Sequence, residues 1–226
     1  MNITKSATLA LVCVASLCLA TKPGPPQILT CPHCGQTKNV MSLVSGNTFG
    51  AVVWSDNKCI APMLPKISYV QKCPNCKKYF IVSRQKSVYA ESGFSSEQGL
   101  LSFAEMKEAF AQLSQEKFSD NSEEASVRMM LHHAYNDYYF RDGKQRTVDK
   151  ADQALFRENA LWLIENFIED EVMKAEFYRE AGDMEKATVL IEKVAVDNEF
   201  MEKLVATIKE KIKKGETAVF LIEYEK

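Results

Sequence analysis

Cys31-Pro32-His33-Cys34 and, about forty residues later, Cys73-Pro74-Asn75-Cys76 are the stretches that decide how this chain folds. Two thiolates three positions apart can grip one ion from a single tight turn. Two such turns supply the four ligands of a closed tetrahedral site, the arrangement of structural zinc. Pro32 and Pro74 fix φ directly after the first ligand of each pair. Gly35 follows the second ligand, where the chain commonly turns left-handed, and Lys77 stands there in the second pair. The spacing therefore predicts one Zn2+ per chain held by Cys31, Cys34, Cys73 and Cys76. A four-thiolate site also suits iron, and two disulfides would use the same residues.

Outward from the pairs, the sequence reads as short strands. Phe49 to Trp54 is apolar and β-branched, Asp56-Asn57-Lys58 is a turn, Ile67 to Val70 enters the second pair and Lys78 to Ser83 leaves it. About 60 residues of this composition bury too little apolar surface to fold without a staple. Cys59 has no partner at ligand spacing and reads as a free or packed thiol. His33, inside the first pair, reads as an exposed turn residue. The segment 31–90, with CPHCG and CPNCK, resembles the zinc-ribbon or rubredoxin-like class. That resemblance implies a metal and no particular activity.

From about Gly93 the apolar period changes from two to near 3.6, which predicts helices. Ser102 with Glu105 forms a capping box opening a helix to about Gln115. Asn121 or Ser122 caps a second helix to about Phe140. Others are expected over Val148 to Phe167, Glu171 to Ala181, onward from Gly182-Asp183 to about Val196, and Glu199 to Lys214, with Gly215 as the stop. Ala218 to Tyr224 is apolar enough to be buried, as strand or short helix. Ala175, Tyr178, Gly182, Ala187 and Ile191 fall on the spacing of a tetratricopeptide repeat, which the stretch 171–196 resembles. The expected fold class is α+β, a small antiparallel zinc-ribbon sheet followed by an all-α helical-repeat domain. The expected division is 23–30 linker, 31–90 ribbon and 91–226 helical. A metal-binding ribbon followed by such helices resembles uncharacterised bacterial proteins, and that resemblance implies no established activity.

Charge is divided unevenly along the 226 residues. The segment 31–90 holds eight basic residues against the single acid Asp56, whereas from 91 onward 18 basic residues face 29 acidic ones. A basic ribbon can meet nucleic-acid phosphates, with Lys72, Lys77, Lys78 and Tyr79 as the candidate partner surface and Trp54 and Phe80 as further stacking rings. It can equally dock on the acidic half of its own chain. Helical repeats normally offer a groove to a protein or peptide, so a non-enzymatic scaffold or adaptor is the leading expectation. Nucleic-acid binding is one alternative, and thiol redox or iron electron transfer another, although no βαβ pattern surrounds either Cys pair.

Catalytic constellations are thin. His132 and His133 are adjacent on a helix and point about 100° apart. His133 and Asp137, four apart, could form an oriented base or half a metal site, but a polar helical face is the simpler reading. The aromatic run Tyr135, Tyr138, Tyr139 and Phe140 reads as helix packing. No Gly-rich phosphate loop, His-Glu-x-x-His or Gly-x-Ser-x-Gly element is present. Residues 1–22, with apolar Ala7 to Ala20, read as a signal peptide or a mis-assigned start, and are too short to span a bilayer comfortably. Export is favoured over the cytoplasm by that segment, whereas reduced thiolates favour the cytoplasm.

Overall fold

The computed structural model describes residues 21–86 and 88–222. The apolar segment Ala7 to Ala20, Cys13, Cys18 and the chain beyond Ile222 lie outside the described residues. The N-terminal part carries β1 (Lys22–Pro23), β2 (Gln27–Thr30), β3 (Thr37–Val40), β4 (Leu43–Ser45), β5 (Val52–Trp54), β6 (Cys59–Ile60), β7 (Val70–Lys72), β8 (Tyr79–Ile81) and β9 (Val88–Tyr89). Helices α1 (Phe103–Glu116), α2 (Asn121–Asn136), α3 (Lys150–Asn166), α4 (Glu171–Glu180), α5 (Met184–Ile191) and α6 (Glu199–Lys214) follow, and β10 (Leu221–Ile222) ends the described chain. The architecture is α+β, and the strand pairings among the described residues are all antiparallel.

Two hairpins set the frame. β2 and β3 pair from Gln27 opposite Val40 to Thr30 opposite Thr37, and β7 and β8 pair from Val70 opposite Ile81 to Lys72 opposite Tyr79. Each hairpin closes on a Cys-x-x-Cys turn. Between them lie Leu29, Val40 and Phe80, packed with Cys31 and Cys73 into a small buried core. α1 lies along β8, and Val70, Tyr79 and Ile81 share a second core with Phe103, Met106 and Leu113 of α1 and with Val127, Leu131 and Tyr135 of α2.

The first helix begins as its residues dictate. The Ser102 hydroxyl accepts from the Glu105 backbone N-H, and the Glu105 carboxylate accepts from the Ser102 N-H. α2 is capped by Asp120, one residue ahead of the expected Asn121 or Ser122, because its carboxylate accepts from the Glu123 N-H at 2.9 Å. The expected extension to Phe140 exists in altered form, as a π-helical turn over Asp137–Arg141. α5 stops at Ile191, short of the expected Val196. The chain must extend before Asn198, whose side chain caps α6 by accepting from the Met201 N-H. α4 and α5 form an antiparallel pair with Ala175 and Ala187 fully buried, and Gly182 turns between them at φ 79°. The question left open over Ala218 to Tyr224 resolves for Leu221–Ile222, which adds to β5 as an edge strand.

Candidate metal centre

The two Cys turns are near copies of one another. Each places six residues between the last strand pair, Thr30 opposite Thr37 and Lys72 opposite Tyr79. The Cys31 N-H donates to the Gln36 carbonyl at 2.8 Å and the Gly35 N-H to the Cys31 carbonyl at 2.9 Å. In the second turn Cys73 N-H reaches the Lys78 carbonyl at 2.8 Å and Lys77 N-H reaches the Cys73 carbonyl at 3.1 Å. Gly35 has φ 74° and Lys77 φ 63°, so both turns need the left-handed residue. Lysine takes that conformation at a cost that glycine avoids.

These turns bring four sulfurs within 4.8 Å of one another. Cys31 Sγ lies 3.7 Å from Cys76 Sγ, and Cys34 Sγ lies 3.6 Å from Cys73 Sγ. A tetrahedron with metal–sulfur bonds of about 2.3 Å has sulfur–sulfur edges of about 3.8 Å. A disulfide requires about 2.05 Å, and all four thiols are free. The residues therefore fit one tetrahedral ion with no open position. Cys31 and Cys73 are buried, while Cys34 is exposed and Cys76 half-buried.

The local fields differ across the site. Burial pushes the Cys31 thiol up to about 12, whereas the Gln36 backbone N-H and then the Asn75 amide draw Cys34 down to about 6. Asn75 Nδ2 donates to Cys34 Sγ at 3.6 Å. A cation among the sulfurs would favour the thiolate at every position, including buried Cys31, so loading releases protons and tightens as pH rises.

α1 grips the outer edge of the second hairpin. Gln112 bridges the Tyr79 backbone, accepting from its N-H at 3.0 Å and donating to its carbonyl at 2.9 Å. The Tyr79 hydroxyl donates to Glu108 at 2.6 Å, and Lys72 pairs with Glu105 at 3.0 Å. Of the candidate partner surface, Tyr79 is thus buried, Lys72 is held by α1, and Lys77 and Lys78 remain exposed. Phe80 is buried as well. His33 Nε2 sits 3.0 Å from the Tyr79 carbonyl oxygen, and Cys59 lies in exposed β6 outside the four-sulfur cluster.

Other residues singled out in the sequence are scattered or absorbed. His133 Nε2 approaches the Asp56 carbonyl at 3.2 Å, whereas Asp137 pairs with Lys58 and Arg141. The two do not form an oriented base. Tyr135 and Tyr139 are core residues, while Tyr138 is 43% exposed beneath the Arg146 guanidinium. Sequence reasoning missed a second cluster, Asp56, His132 and Glu180, all of them buried and mutually close. The signal available was faint: a turn Asp56 and a His132/Asn136 pair four apart on one helix face.

No family model matches this chain, and comparison with curated proteins and with solved structures returns no match. Among the described residues, no helix is long and apolar enough to cross a membrane.

Proposed function

We propose that this chain is a non-enzymatic zinc-binding scaffold, in which one Zn2+ on Cys31, Cys34, Cys73 and Cys76 fixes a ribbon and tetratricopeptide-like helices offer a surface to a protein or peptide. The observation that carries the zinc reading is the pair of near-equivalent turns with sulfur–sulfur separations of 3.6 and 3.7 Å. Zinc would act there as a cross-link. With four thiolates around it there is no position for water or substrate, which is the difference between structural and catalytic sites.

The interaction reading draws on the α3, α4 and α5 faces. A groove there is lined by Ile164, Tyr178, Val189 and Leu190, with Lys174 and Lys186 among its charged residues. Val189 is 48% exposed, so an apolar strip lies open between charges of both signs. This is the composition of a peptide groove, with apolar anchors and polar selectivity at the rim. Nucleic-acid binding by the ribbon draws less support, because Tyr79 and Phe80 point inward and Lys72 is engaged by Glu105.

Metal analysis of Cys31→Ser and Cys76→Ser tests the first half of the reading, with loss of zinc expected in both. Retained zinc in both would overturn it. Affinity capture with wild type and Val189→Glu tests the second half. A protein partner captured by the former and lost by the latter supports the groove, and capture unaffected by Val189→Glu contradicts it.

A further inference from the structure

Beneath the β5–β6 turn lies a cluster of buried polar side chains. Asp56 enters it from that turn, His132 and Asn136 from one face of α2, Arg141 from the π-helical turn, and Glu180 from the end of α4. The side chains of Asp56, His132 and Glu180 are all fully buried. One ligand atom from each lies within 4.8 Å of the others. His132 Nε2 is 2.9 Å from Glu180 Oε2, a hydrogen-bond distance that is also close to the edge of about 3.0 Å between neighbouring ligands of an octahedral ion about 2.1 Å from each.

The chain does not complete this cluster's chemistry by itself. Glu180 Oε1 and Asn136 Oδ1 are buried and have no hydrogen-bond partner. Charge is also left over. Arg141 pairs with Asp56, and buried Arg179 holds Glu176 through two contacts of 2.5 and 2.7 Å. Glu180 accepts only from His132 and from Asn136 Nδ2, the latter at 3.0 Å, with no lysine or arginine bonded to it. A buried carboxyl with no cation beside it either holds a proton or binds a metal ion. The Asn136 amide stands between the carboxylates, its Nδ2 also 3.0 Å from Asp56 Oδ2. Turned over, the same amide would present Oδ1 to an ion there. His132 is clamped between Phe156 and Phe177, with ring centroids at 4.5 and 4.3 Å, so its imidazole is aimed before any ligand arrives.

We propose that Asp56, His132 and Glu180 form a second metal site, for a divalent first-row ion that accepts mixed nitrogen and oxygen donors, with Asn136 as a further oxygen ligand. One nitrogen and two or three oxygens suit zinc or manganese better than the all-sulfur site does. Its ligands come from a turn of the sheet region and from two helices, so the ion ties the β5–β6 turn to α2 and α4. Being buried, the site would fill during folding and exchange slowly. Arg141 and His133, the latter 3.9 Å from Asp56 Oδ2, form its outer shell on the Asp56 side.

The test refolds the full chain with Zn2+ and Mn2+ present, removes loose metal and measures total metal per chain for wild type, Glu180→Gln and Asp56→Asn. The account expects about two equivalents in wild type and one fewer in each variant. Thiol protection should be unchanged in the variants, which separates this site from the cysteine site. Refolding with one equivalent of Zn2+ and an excess of Mn2+ should give a bound manganese paramagnetic resonance that Glu180→Gln abolishes. Either variant alone suffices if the other fails to fold, as judged by far-UV circular dichroism. One equivalent in wild type, unaltered in both folded variants, would mean that Glu180 holds a proton only and would overturn the site.

Discussion

Replacing Cys73 by serine should unfold the ribbon while leaving most of the helices standing. Cys73 is fully buried between Leu29, Val40 and Phe80, and its sulfur is 3.6 Å from that of Cys34. Structural zinc contributes about 10–16 kcal/mol in small finger domains, so on the proposed zinc reading one ligand of four carries roughly 2.5–4 kcal/mol of it. The serine hydroxyl, buried among apolar neighbours, adds a penalty of about 1–3 kcal/mol. The combined loss of about 3.5–7 kcal/mol is comparable to the whole stability of a small domain. Hydrogen exchange read by mass spectrometry should show lost protection over Cys31 to Val40 and Cys73 to Ile81. α1 should weaken too, since it shares a core with Val70, Tyr79 and Ile81. The helices α4 to α6 should keep protection, because the core of Val172, Ala175, Ile191, Val205 and Ile208 includes no residue of the sheet region. Cys59→Ser, at an exposed position, is the control and should change nothing. Undiminished protection at Cys73 to Ile81 in Cys73→Ser would refute the reasoning.

Three further outcomes are expected. Lys77→Gly should raise thermal stability by roughly 0.5–1 kcal/mol and Gly35→Ala should lower it by about 1 kcal/mol, because both positions are left-handed and a Cβ at Gly35 meets no neighbour. Arg179→Met should cost about 3–5 kcal/mol in denaturant unfolding, since it strands buried Glu176 and also frees the carbonyls of Glu216 and Ala218; the double variant with Glu176→Leu should recover much of the loss. Acid should destabilise the protein through His132, which burial chiefly holds down to about 3 from 6.5, with neighbouring His133 and Arg141 acting the same way and Asp56 opposing. The unfolded chain takes up that proton as pH falls below about 6.5 while the folded chain does not. With the Asp56–His132–Glu180 cluster empty of metal, the His132 contribution is therefore full above about 6.5 and falls by up to about 1.4 kcal/mol per pH unit below it, opposed by Glu180, whose carboxyl burial pushes up, and His132→Gln should flatten that slope in urea melts at pH 5–7.

What was legible in the sequence is what is local. The Cys turns carry their own geometry in proline, glycine and spacing, so the four cysteines could be named together and the structure brings their sulfurs close. The capping box at Ser102 and the apolar stripe of α1 are likewise local, and α6 runs from Glu199 to Lys214 as expected, with Gly215 as its stop. The misplacements lie where long-range contacts decide. The end of α5 depends on where α6 must begin, and the π-helical turn at Asp137–Arg141 goes with bonds from Arg141 to Asp56, Asp137 and the His133 carbonyl. Asp56 meets Asn136 and Asn136 meets Glu180 across 80 and 44 positions, distances at which no pattern of period two or 3.6 can speak. Lys72 and Tyr79 looked available because the sequence does not reveal that Glu105, Glu108 and Gln112 fall on the α1 face that covers them.

Zinc K-edge absorption on Glu180→Gln protein, in which only the cysteine site should hold zinc, reads the metal's ligands at the two Cys turns. The account predicts a single shell of four sulfurs at about 2.3 Å. A zinc environment without sulfur, or the four cysteines recovered as disulfides with no zinc bound, would contradict it.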